Sequence, residues 1–300
     1  YNKNIKIIAI PTRKGSCFMR KRISFISVLT MFLAIGFAII FSIPVKATAN
    51  GVQLKANRTY TAYDVTGDGT KDKIRIRAAN QTDDEAYSSL TVSVNGKTAY
   101  RLKNTRFYNV IANIYTLKNG QPFLYLYAPA ENGDGPVCAL LKYTNGKFRK
   151  ALDFTEIMAG YGNHRIGEVT NLNGNKIVIT ESIVSYSLGI NAINFTYKYV
   201  NGKFVPTSRY GSYKEIYSTD GSSRYFTVNS DLPAYARPGA TAVNTTLKAG
   251  SLTKIIKCAL ISGKMYIQLE CDGEIYWIKA LENPPISDSE RQFMEVRYAG

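Results

Sequence analysis

Histidine and tryptophan occur once each in this chain of 300 residues, and cysteine only four times. A single histidine, His164, cannot build a zinc site of several His or Cys ligands. A Ser-His-Asp triad would have to use it, and no Gly-x-Ser-x-Gly elbow is there to supply the serine. His164 follows Tyr161-Gly162-Asn163 and is expected to be a turn residue. Once the apolar amino-terminal stretch is set aside, Cys138, Cys258 and Cys271 remain. An odd count at wide spacing excludes a disulfide framework. Cys258 and Cys271 flank an expected hairpin and are candidates to pair, whereas Cys138 lies in an apolar run and reads as a buried thiol. Acidic side chains are also scarce, 22 against 38 basic ones. Many fall in expected turns: Asp83, Asp84, Glu85, Glu131, Asp134 and Asp220. No sequence motif marks a carboxylate pair for glycoside hydrolysis, but such pairs converge only in space. A glycan-acting hydrolase, or an accessory module of one, therefore stays as the alternative to a binding protein.

One long hydrophobic run is present. Met19 is followed by Arg20-Lys21-Arg22, an apolar stretch from Ile23 to Ile43, and Ala47-Thr48-Ala49. A basic start, an apolar core and a small-x-small site are the three parts of a secretory signal. Residues 19–49 are read as that signal, and residues 1–18 as an upstream translated segment. The run is also long enough to span a bilayer, so an uncleaved anchor is the second reading. Either one places residues 50–300 outside the cytoplasm, and membrane attachment follows only from the second. No lipid-acceptor cysteine follows the run. Residues 1–49 carry eight basic and no acidic side chains, which leaves 30 basic and 22 acidic and lowers the net charge from +16 to +8. The remaining cations are scattered, form no run and give no sign of nucleic-acid binding.

Tyr, Val, Ile and Thr are abundant after residue 50 and suit half-buried strands. Asn-Gly pairs begin at Asn95, Asn119, Asn145, Asn173 and Asn201. Asn-Gly tolerates the positive φ of two-residue hairpin turns. Three of these pairs sit in one motif, at Asn95, Asn145 and Asn201, spaced 50 and 56 residues apart. A period near fifty with strand signals predicts four-stranded units. The strands are placed at 59–63, 73–77, 89–94 and 97–102; at 110–116, 123–127, 137–143 and 147–154; and at 166–171, 176–180, 190–199 and 203–207.

The first turn of the first unit is different. Asp64-Val65-Thr66-Gly67-Asp68-Gly69-Thr70-Lys71-Asp72 places acids at loop positions 1, 5 and 9 and glycine at position 6. This is the spacing of an oxygen-only calcium loop. The unit resembles an FG-GAP or VCBS-type repeat, in which such a loop lies between two blade strands. The resemblance implies calcium held by the side chains of Asp64, Asp68 and Asp72, the Thr70 carbonyl and the Thr66 hydroxyl. Thr66 stands where Asp or Asn is usual, and position 12 is Arg75, so the implied affinity is weak, roughly 0.1–1 mM. Three units are too few for a standard closed propeller, and a small open array is expected.

Residues 209–224, rich in Tyr, Ser and Gly, read as a linker. Residues 225–300 carry shorter strands, a Leu247-Lys248-Ala249-Gly250 turn and the strand Tyr276-Trp277-Ile278-Lys279. These resemble a bacterial SH3-like domain, which implies a small β-barrel. Trp277 and Tyr276 are the candidate stacking platform for sugar or peptide, with Trp277 as a barrel core residue the plainer reading. The sequence as a whole predicts an all-β, antiparallel protein. It would be secreted or wall-associated, non-catalytic, and bind a cell-wall polymer, a glycan or a surface protein.

Overall fold

The chain is described here by a computed structural model that covers residues 51–298. The expected upstream segment and signal segment lie outside the described residues. The fold is all-β and antiparallel. Among the described residues no helix is long and apolar enough to cross a membrane.

The chain opens with β1 (Val52–Leu54) and then forms β2 (Thr59–Tyr63), β3 (Asp72–Gln81), β4 (Tyr87–Val94) and β5 (Lys97–Phe107). Strands β2 to β5 make the first sheet, in chain order. Next come β6 (Ile111–Thr116), β7 (Pro122–Ala128), β8 (Val137–Thr144) and β9 (Lys147–Asp153), which form the second sheet in chain order. Strand β1 adds to its free edge by pairing with β6. The third unit is β10 (Gly162–Asn173), β11 (Lys176–Ser185), β12 (Gly189–Val200) and β13 (Lys203–Pro206). All twelve expected strands of the three units are present, and β1 is an addition.

Side-chain alternation explains how the sheets stack. On β7, Leu124, Leu126 and Ala128 enter one core while Phe123, Tyr125 and Tyr127 enter another. Strand β8 splits in the same way, Val137, Ala139 and Leu141 against Cys138 and Leu140. The second sheet is therefore a middle layer. Its first face packs on Ile74, Ile76, Leu90 and Val92 of the first sheet. Its other face packs on Ile177, Ile179, Phe195 and Tyr197 of the third unit. Among the described residues neither a propeller nor a barrel closes.

The carboxy-terminal half departs from the expected linker and barrel. Residues 209–224 hold β14 (Tyr210–Ser218) and β15 (Gly221–Ser222), followed by β16 (Tyr225–Thr227) and β17 (Leu232–Ala234). After these come β18 (Thr245–Leu247), β19 (Leu252–Ile261), β20 (Lys264–Cys271) and β21 (Glu274–Lys279). Strand β14 pairs with β12 on one side and β19 on the other. The sheet of the third unit thus runs on through β14, β19 and β20 to β21. The reason is local: Tyr213 and Ile216 of β14 are buried in the larger core, and Gly211 lets the strand approach β12. The segment around Phe293 and Val296 returns to this core, with bridges to Val228 and Ser218.

Candidate functional site

The acidic loop is built by hydrogen bonds between its carboxylates and its own backbone. Asp64 Oδ1 accepts the Gly67 N–H at 2.6 Å, and Oδ2 accepts the Gly69 N–H at 2.8 Å. Partial burial pushes the Asp64 carboxyl up, but the bonds from Gly67, Gly69 and Thr66 outweigh it and hold the group below its ordinary range. Asp72 is 1% exposed. Its Oδ2 accepts Val65 N–H at 2.7 Å and Thr66 N–H at 2.9 Å, and its Oδ1 accepts the Asn95 side-chain amide at 2.6 Å. Asn95 belongs to the Asn-Gly turn of the second hairpin, so Asp72 ties the two hairpins of the first sheet together.

Thr66 Oγ1 lies 3.2 Å from Asp64 Oδ1 and 3.3 Å from Asp72 Oδ1. Loop positions 1, 3 and 9 therefore meet. Position 5 does not join them: Asp68 turns to the Thr70 N–H at 2.8 Å. Among the described residues, no three His, Cys, Asp or Glu side chains come together as a metal-holding group. The oxygens of Asp64, Thr66 and Asp72 suit a hard cation in kind, and the Asp68 side chain would have to reorient to join them.

The loop also forms one wall of a cleft of about 460 Å³. Tyr63 and Asp64 face Asn119, Gln121 and Lys142 of the second sheet across it. Burial lowers the proton affinity of Lys142, and the Asp64 charge opposes that effect. Asp64 is the one carboxylate on the lining. Asp72 is close behind it but is buried, with both oxygens already accepting bonds.

Trp277 is 4% exposed and packs with Tyr235, Ala259 and Tyr266 in a small separate core. Its backbone pairs with Tyr235. Tyr276 points to the opposite face and packs on the larger core. The two side chains do not share a surface, so they form no joint platform. Cys138, Cys258 and Cys271 are free and buried. Cys258 lies opposite Ile267, whereas Cys271 lies opposite Thr253, so the hairpin register keeps the two apart. Burial pushes the thiols of Cys138 and Cys258 up to about 12, which leaves them unreactive near neutral pH.

Two features were missed in the sequence. His164 is a strand residue on β10, and its Nδ1 pairs with Glu181 Oε1 in the space between the second and third sheets. Glu181 is 2% exposed, and burial raises its carboxyl to about 7 against the pull of His164. Neither His164 Nε2 nor Glu181 Oε2 has a second partner. The other feature is the solvent face of the first sheet. Ile74 and Ile76 point inward, so Arg75 and Arg77 point outward. The register sets Arg77 beside Thr91 and Thr91 beside Arg101, with Ser89 beside Lys103 one row along. The alternation Lys73-Ile74-Arg75-Ile76-Arg77 was the available signal. Comparison of the chain with family models, curated proteins and solved structures returned no match.

Proposed function

We propose that the chain is a secreted or surface-displayed binding protein without catalytic machinery, and that it engages a cell-wall polymer, a glycan or a surface protein. The observation that carries this reading is the cleft beside the acidic loop. An aromatic ring, two amide side chains, an ammonium group and a lone carboxylate line it. Such groups orient a hydroxyl-rich ligand through several hydrogen bonds. Hydrolysis of a glycosidic bond usually needs two carboxyl groups about 5–10 Å apart, both reaching the substrate. Asp72 is buried under the loop, and Asp68 of the same loop is not on the cleft lining.

Calcium belongs to this proposal as a weak stiffener of the cleft wall. Asp64, Thr66 and Asp72 would hold the ion, and the positive charge would offset the two converging carboxylates. The test is retention of the protein on purified cell wall, with and without a calcium chelator. Retention that falls at least fivefold in Lys142→Ala and Tyr63→Ala supports the cleft as the contact site. Failure of the intact protein to bind wall in either condition sinks the proposal. Calorimetry with millimolar calcium tests the metal separately: no heat and no shift in melting temperature would remove it.

A further inference from the structure

We propose that the outward face of the first sheet is a docking surface for a linear phosphate polymer whose backbone carries no bases or sugar rings. The proposal rests on reading the chain as a surface binding protein, but it uses a face separate from the cleft. Arg75, Arg77, Arg101 and Lys103 are exposed on this face. None of the four has a carboxylate within ion-pair distance among the described residues. A shallow groove of about 420 Å³ runs between Arg77, Arg101 and Lys103, floored by Ser89 and Thr91, and no acidic residue lines it. The acids at the sheet's end are separate: Asp84 in the β3–β4 loop is already paired with Arg106.

Unpaired cations at one surface repel each other, and a polyanion relieves that repulsion. The spacing suits a repeating charge. Arg75 and Arg77 are separated by the two-residue repeat of a strand, roughly 7 Å, and Arg77 and Arg101 by two strand spacings, about 10 Å. Guanidinium forks bind phosphate oxygens in pairs, and the Ser89 and Thr91 hydroxyls add donors between them.

The groove lining holds no aromatic side chain. Tyr100 and Leu102 of β5 turn inward to the core. Nucleobases and pyranose rings therefore find no stacking surface here. Recognition has to come from the charges along the ligand, which favours a linear phosphate chain without bases or sugar rings in its backbone.

The probe is long-chain inorganic polyphosphate, bound to the intact protein over a salt series. Four contacts at about 0.7 per contact predict a log–log salt slope of roughly −3. The Arg77→Gln/Arg101→Gln double variant is expected to lose at least tenfold in affinity and roughly half of the slope, with an unchanged melting temperature because both side chains are exposed. Lys176→Gln/Lys198→Gln removes the same charge from a different strand pair and is expected to change affinity less than twofold. Equal losses in the two variants would show attraction by net charge alone and overturn the proposal. Heparin or oligo(dT) binding more tightly than polyphosphate at equal charge would overturn the choice of ligand. Loss of wall binding in the cleft variants leaves polyphosphate binding intact if this face acts alone, so the two readings fail separately.

Discussion

Asp72 shows how a residue chosen for metal chemistry serves the fold first. It is buried, and its carboxylate accepts two backbone N–H groups and the Asn95 amide. Asp72→Ala would leave these donors unpaired in a dry site. The expected cost is about 2–4 kcal/mol, or roughly 5–15 °C in melting temperature, measurable by calorimetry. The Asn95→Ala variant should share part of that loss, because it removes one arm of the same link. Glu181 adds a pH dependence of its own to stability. Its carboxyl is raised to about 7 in the fold from an ordinary value of 4.5. Between those values the folded state holds a proton that the unfolded chain has released. The stability from this group is full below about pH 4.5 and is lost as pH rises through 7. Melting temperatures of wild type and Glu181→Gln across pH 4.5–8 should diverge, the wild type falling more steeply; parallel curves would contradict the assignment. The spacing of the acidic loop was legible in the sequence because it is local. The His164–Glu181 pair was not, because the partners are 17 residues apart and meet only through the β10–β11 hairpin.

At the scale of elements, the Asn-Gly turns were legible for a stereochemical reason. Asn95, Asn145 and Asn201 adopt φ near 50°, each followed by a glycine with positive φ. Two-residue turns of this hand match the twist of the strands they join. The Asn173-Gly174 pair behaves differently: Gly174 opens the turn and Asn173 remains the last residue of β10. Strand β14 was read as a linker because Ser, Gly and Tyr dominate its composition. Its pairing depends on the absence of a side chain at Gly211, where a Cβ would lie 2.5 Å from Phe195 Cε1 and 2.7 Å from Ile193 Cγ2. Gly211→Ala is expected to cost about 1–3 kcal/mol through overpacking, read as a lower denaturation midpoint. A neutral result would mean that β14 is only loosely joined to β12.

Across the whole molecule, one core extends from Tyr115 to Val296 and includes the second sheet, the third unit and most of the carboxy-terminal strands. Phe293 is fully buried in it. Phe293→Ala is expected to cost about 3–5 kcal/mol and to lower the stability of β14 and β19 together, because both share that core. Hydrogen exchange on the two strands would check this: protection lost in β19 alone would mean that the carboxy-terminal strands form an independent domain. The sequence by itself determined the all-β class, the places of the twelve expected strands and the acidic turn, since alternation, turn chemistry and loop spacing act over a few neighbouring residues. Only the tertiary structure decided that β14 joins the third unit to the last strands and that scattered arginines share one face. Those outcomes depend on which strands become neighbours, and strand neighbours can lie anywhere along the chain.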